Sequence, residues 1–190
     1  MTDPSAGPKS IVRKVPADRP VDLTEIYRSE LAYVWKTLRR LGAPPPDLED
    51  LAHDVFVVVH RHLGDYDPAR PLRPWLFGIA LRVVADFRRL GRNQREIPGE
   101  RVEPVDAAPT PHQRVEGQEM RDLLMKALDT LDLEQRAVFV MHDLDEVPVP
   151  EIADTLAIPL NTAYSRLRLA RADLAAWIKR HRSAERRRDD

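Results

Sequence analysis

Apolar positions recur every three to four residues through most of the chain, and nowhere does a sustained apolar–polar alternation appear. The pattern predicts helices and no sheet. Leu23 to Leu41 forms a first helix, closed by Gly42 and the run Pro44-Pro45-Pro46. Asp47 is placed to cap a second helix reaching about Leu63. A proline-rich loop, residues 64–74, leads to a third helix from about Pro74 to Leu90, with Gly91 behind it as its stop. Further helices are expected near 115–130, 133–143, 149–156 and 160–182.

Two stretches lack this period. Residues 1–20 hold Pro4, Pro8, Pro16 and Pro20 and read as a disordered arm. Residues 96–119 hold four prolines and six acids and read as a flexible, self-repelling linker. The expected fold is therefore all-α. Two small helical domains, 21–95 and 120–182, are joined by an acidic linker, and a charged tail follows at 183–190.

Composition removes several classes of function. With no cysteine, the chain has no disulfide scaffold, thiolate zinc site or cysteine nucleophile. No G-x-S-x-G or H-E-x-x-H motif is present, so no enzyme chemistry is expected. His53, His60 and His62 lie among acids, but Glu49-x-x-x-His53 is not the Glu-x-x-His pair of di-iron bundles. Neither a metal nor another cofactor is expected. No secretory signal or membrane-spanning run is visible, which predicts a cytoplasmic protein without membrane insertion.

The formal net charge of -1 conceals a strong segregation. Residues 47–67 carry a net -5 and residues 73–95 a net +5; residues 120–159 carry -6 and residues 160–188 carry +7. Each half runs acidic, then basic, so two separate stretches can approach nucleic acid.

The second helix places Leu48, Leu51, Ala52, Val55, Val58 and Val59 on one stripe. Glu49, Asp50, His53, Asp54, Val57 and His60 face the other way, with Phe56 at the flank. That face is either a solvated acidic surface or a docking face on which acids steer and Val57 and Phe56 supply buried area. On the third helix Leu76, Ile79, Ala80, Val83, Phe87 and Leu90 form the inward stripe. Trp75, Arg82, Arg88, Arg89 and Arg92 are left as an aromatic–basic set suited to phosphates and unstacked bases.

Residues 149–178 have the proportions of a helix-turn-helix. A short amphipathic helix, the break Ala157-Ile158-Pro159 and a longer helix follow one another. Small Ala153 sits where the two helices approach. Leu160, Ala163, Leu167, Ala170, Leu174 and Ile178 face the core. Asn161, Thr162, Ser165 and Arg168 face outward, with Tyr164 and Arg166 on the flanks. These side chains read base edges and phosphates. Arg171 lies nearer the core stripe and is expected to reach sideways to a phosphate or a neighbouring acid.

Three segments together resemble a known family. Asp47-Leu48-Glu49-Asp50-Leu51-Ala52-His53-Asp54-Val55-Phe56 is similar to the acidic helix of bacterial sigma factors of the extracytoplasmic-function class. Trp75-Leu76-Phe77-Gly78-Ile79-Ala80, followed by Asp86 and Arg88-Arg89, is similar to their aromatic–basic helix. Leu128 to Arg136, Glu151-Ile152-Ala153 and the run from Asn161 to Arg171 resemble their C-terminal domain. The resemblance implies a factor that binds core RNA polymerase and directs promoter recognition, melting and initiation. Glu49, Asp50, His53, Asp54, Phe56 and Val57 would meet the β′ clamp coiled coil. Trp75, Arg82, Arg88, Arg89 and Arg92 would serve the -10 element. Asn161, Thr162, Tyr164, Ser165, Arg166, Arg168 and Arg171 would serve the -35 element, with the same domain touching the β flap. An anti-sigma factor is a candidate partner. The competing reading is a stand-alone helix-turn-helix regulator, which would leave the first domain's surfaces without a role.

Four positions depart from the family pattern. Arg82 replaces an Asn and His53 a Gln. Glu146-Val147-Pro148 replaces Gly-Leu-Ser, and Ala157 replaces the turn Gly.

Overall fold

The computed structural model describes residues 22–95 and 115–189, with side chains described at 22–91 and 120–183. The expected arm and most of the expected linker lie outside the described residues. Among those described there are seven α-helices and no strand.

The first half is a three-helix unit. Helix α1 (Leu23–Arg40) starts at Asp22, whose carboxylate accepts the Thr24 N–H at 3.0 Å. It ends in basic Arg39 and Arg40, which suit the negative end of the helix dipole. Gly42 follows at φ +88°, a conformation that favours glycine. Helix α2 (Leu48–His62) does not receive the side-chain cap expected from Asp47. A single 3₁₀ turn, Pro45–Asp47, leads into it, so Asp47 already has helical backbone and makes no cap bond. Helix α3 spans Leu72–Arg95 and runs straight through Gly91, so the expected stop is overridden. One glycine in a helix costs only about 1 kcal/mol, less than the flanking turns supply.

The second half holds α4 (Val115–Leu128), α5 (Leu133–Phe139), α6 (Val149–Leu156) and α7 (Leu160–Asp189). Helix α4 begins inside the stretch read as linker. Asp132 caps α5 by accepting the Gln135 N–H at 2.7 Å. The expected single helix 133–143 is divided, because α5 widens into one π turn over Val140–Leu144. Helix α7 outruns its expected end by seven residues.

Most expected core positions are buried: Leu48, Leu51, Ala52, Val55 and Val59 on α2, and Ala163, Leu167, Ala170 and Leu174 on α7. The inward face of α3 is rotated towards Phe77 and Val84, both fully buried. Leu90, assigned to the core from its spacing, is 59% exposed. Leu160 and Ile178 are also exposed, since each lies beyond the neighbours that cover the middle of α7.

The halves pack against each other, α6 lying on α3 and Asp145, just past the π turn, reaching α1. Arg40 at the end of α1 pairs with Asp145 at 2.7 Å, and the Tyr33 hydroxyl donates to the same carboxylate at 3.1 Å. Arg136 of α5 is 2% exposed. Its Nε donates to the Arg40 carbonyl and its Nη1 to Asp129.

Candidate nucleic-acid interface

Three surfaces follow from this packing. On α2, Glu49, Asp50, His53, Asp54 and His60 are all exposed, and Val57 is half-buried. The acids stand in the first turns, where the positive end of the helix dipole stabilises them. Phe56 does not share this surface. It is buried, and its ring packs edge-on against Tyr27 with centroids 4.7 Å apart. The apolar area expected from Phe56 is supplied instead by half-exposed Tyr27, which covers it.

On α3, Trp75 is half-buried against Tyr66, with ring centroids 4.8 Å apart, and Arg82 is exposed one helical stretch further on. They line a cleft of about 650 Å³ with Arg70 and Pro71 of the preceding loop and Pro74 in the first turn of α3. Tyr66 donates its hydroxyl to the Arg70 carbonyl at 2.7 Å, which fixes the loop against α3. Burial and the neighbouring Asp67 push the Tyr66 phenol up, so it remains a donor. Arg88, assigned to DNA from its charge, instead turns inward. It is half-buried and donates to the Leu41 carbonyl at 2.7 Å, closing the end of α1. Arg89 stays exposed beside Asp86 at 3.1 Å. The side chain of Arg92 lies outside the described residues.

The helix-turn-helix supplies the third surface. Ala157 ends α6 in the left-handed region, at φ 52° and ψ 46°. The Ile158 N–H returns to the Ala153 carbonyl at 3.0 Å and the Ala157 N–H to Asp154 at 3.2 Å, a Schellman motif without its glycine. Glu146 also adopts a positive φ, 58°, ahead of Val147, whose N–H bonds the Met141 carbonyl at 2.9 Å. Both family glycines are thus replaced by residues that keep the glycine conformation.

Along α7, Asn161, Tyr164, Ser165 and Arg168 are exposed and Thr162 is partly so. Arg166 is half-buried and paired with Glu134. Arg171 reaches sideways into a two-pronged pair with Asp143, at 2.6 and 3.0 Å. That pair holds its guanidinium charged more firmly than usual. Arg168 therefore stands at the centre of the outward face, while Arg171 braces α7 against the π turn.

Among the described residues no group of three His, Asp or Glu side chains is arranged to hold a metal ion. No helix among them is long and apolar enough to cross a membrane.

Two surfaces of the all-helical fold thus carry basic and aromatic side chains, and a third carries acids, as in a promoter-specificity factor. Residues 26–95 match the model of Sigma-70 region 2, and residues 121–174 match that of Sigma-70, region 4. The chain is 27% identical to the RNA polymerase sigma factor NccH of Alcaligenes xylosoxydans xylosoxydans, over 94% of this chain and 98% of that one. It is 31% identical to the ECF RNA polymerase sigma factor SigL of Mycobacterium tuberculosis, over 76% and 82%. Its fold matches the sigma factor RpoE of Bartonella quintana, solved with the anti-sigma factor NepR. That likeness has a TM-score of 0.68 and 21% identity, over 83% of this chain and 97% of that one. The chain belongs to the extracytoplasmic-function sigma factors of the sigma-70 family. It is a transcription initiation factor that gives RNA polymerase its promoter recognition.

Several residues that organise these surfaces escape a reading of the sequence. Tyr33 and Arg40 of α1 meet Asp145, more than a hundred residues further along the chain. Arg136, which also reaches Arg40, is a charge whose role only its burial beside Ala137 and Val138 reveals.

Proposed function

We propose that each surface has its own partner in the initiating complex. The acidic face of α2, centred on Asp50, Asp54 and Val57, docks on the clamp coiled coil of β′. Trp75 and Arg82, with the loop fixed by Tyr66, hold the melted -10 strand, the indole offering a face for an unstacked base. Asn161, Thr162, Ser165 and Arg168 read the -35 element in the major groove, and Tyr164 and Arg166 position the helix on the backbone. The second half also meets the β flap. The factor works in the cytoplasm, carries no catalytic chemistry of its own and is held in check by an anti-sigma protein.

The observation that carries this reading is the placement of Arg168. It is exposed at the centre of α7's outward face while its neighbours Arg166 and Arg171 are tied to Glu134 and Asp143. A helix that braces its flanking arginines and leaves the central one outward is set for groove reading. Run-off transcription tests the whole assignment. Core polymerase with this chain should give discrete transcripts from a promoter library, and core polymerase alone should not. Absence of discrete transcripts refutes it.

A further inference from the structure

Helix α7 carries three arginines on or beside its outward face, and two of them are occupied. Arg166 is paired with Glu134 of α5, and Arg171 makes two bonds to Asp143, at 2.6 and 3.0 Å. Arg168, between them, is exposed and has no ion pair among the described residues. At about 3.6 residues per turn, Arg166 lies about 70° to one side of the buried stripe Ala163, Leu167, Ala170 and Leu174, and Arg171 about 70° to the other. A helix in the major groove has phosphates along both of its flanks. Each flank of α7 therefore carries one arginine suited to a phosphate, and each of these arginines already holds a carboxylate.

Both acids come from one segment that crosses the buried side of α7. Glu134 stands in the first turn of α5, which Asp132 fixes by accepting the Gln135 N–H at 2.7 Å. Asp143 stands at the other end of that segment, in the π turn. Stability does not account for the pairs. The Glu134 side chain is 68% exposed and that of Arg171 52%, and exposed pairs add little to a fold. Gripping DNA does not account for them either, since each carboxylate occupies donors that a phosphate would otherwise take. What the pairs do control is the share of binding that ignores sequence. A phosphate contact strengthens every duplex alike, whereas contacts to base edges distinguish one duplex from another.

We propose that Glu134 and Asp143 are positioning residues that hold Arg166 and Arg171 back from the phosphates. Helix α7 then grips every duplex weakly and leaves selection to Asn161, Thr162, Ser165 and Arg168. The backbone contact of Arg166 is made against the pull of Glu134. The proposal rests on the assignment of α7 to the upstream promoter element.

Core polymerase loaded with the full chain tests it by fluorescence anisotropy. The probes are a labelled duplex carrying a promoter recovered in the run-off experiment and the same duplex with its upstream element scrambled. Glu134→Gln should bind both about threefold more tightly at low salt, the scale on which an exposed pair can compete. Asp143→Asn should do the same, and the two together should gain about tenfold with the preference between duplexes unchanged. Affinity should also fall more steeply with salt, the log–log slope growing by about 0.9 for each arginine released. In an Arg166→Gln background, Glu134→Gln should gain nothing. Circular dichroism checks the fold; should Asp143→Asn lose helix, the comparison at largely exposed Glu134 decides alone. Arg168→Ala should lose affinity for the promoter duplex. If it does, and Glu134→Gln binds no more tightly than the parent or keeps its gain without Arg166, the restraint is overturned and the assignment of α7 stands. Arg168→Ala binding the promoter as the parent does overturns that assignment, and the proposal with it.

Discussion

Ala157 offers a test in which the sign of the effect is fixed by backbone geometry. Its φ of 52° lies in the left-handed region, where a Cβ crowds the following carbonyl. That crowding costs a non-glycine residue roughly 1–2 kcal/mol. Glycine removes the cost but gives the unfolded chain more freedom, worth about 0.5–1 kcal/mol. Ala157→Gly should therefore stabilise the protein by about 0.5–1 kcal/mol, and the same argument gives a similar gain for Glu146→Gly at φ 58°. The sites lie at opposite ends of α6, so the gains should add, to about 1–2 kcal/mol. In a chain of this length that corresponds to a rise of roughly 3–6 °C in Tm. Ala175→Gly, on the exposed face of regular α7, should instead lose about 1 kcal/mol. Urea and thermal unfolding followed by circular dichroism measure the four variants against the parent. If Ala157→Gly is neutral or destabilising while Ala175→Gly behaves as stated, Ala157 does not hold the left-handed conformation in solution, and the turn between α6 and α7 has been described wrongly.

Other outcomes follow from the surfaces. Asp50→Arg with Asp54→Arg should leave the fold intact, both being exposed, yet weaken capture by core polymerase more than tenfold; a folded variant with unchanged affinity in a pull-down removes α2 from the docking surface. Arg168→Ala should cost roughly 1–3 kcal/mol of promoter binding and relax preference at one or two base pairs of the upstream element. Arg171→Ala, losing an exposed pair with Asp143, should cost under about 1 kcal/mol of stability and leave the preferred sequence alone. Selection on randomised upstream duplexes distinguishes them, and a preference shifted by Arg171→Ala alone would refute the choice of reading face. Gly42→Ala should destabilise by roughly 2 kcal/mol, because φ is +88° and the added methyl would overlap the Arg88 guanidinium and lie 3.0 Å from Arg136 Nη1. Chemical unfolding checks it.

The helices were legible because their apolar stripes are long and because Pro, Gly and Asp punctuate them. The buried set of α2, the outward set at the start of α7 and small Ala153 at the crossing all follow from period alone. What escaped depended on neighbours that a helical wheel does not contain. Phe56 looked available until Tyr27 was placed over it, and Arg88 looked like a phosphate ligand until the Leu41 carbonyl was found within its reach. Gly91 looked like an end because glycine favours stopping, and residue 182 because the apolar stripe runs out at Ile178, yet both helices continue. The junction through Asp145, Arg40 and Tyr33 has no local signature, since it joins side chains distant in sequence and ordinary in type.

Helix α7 holds 30 residues in one piece, about 45 Å from the recognition end to the tail. It acts as a lever whose short arm lies at the α6 crossing. A rotation of about 10° there carries the far end through roughly 8 Å, given the helix rise of about 1.5 Å per residue. A small rotation of the start of the helix is thereby converted into a large excursion of its far end.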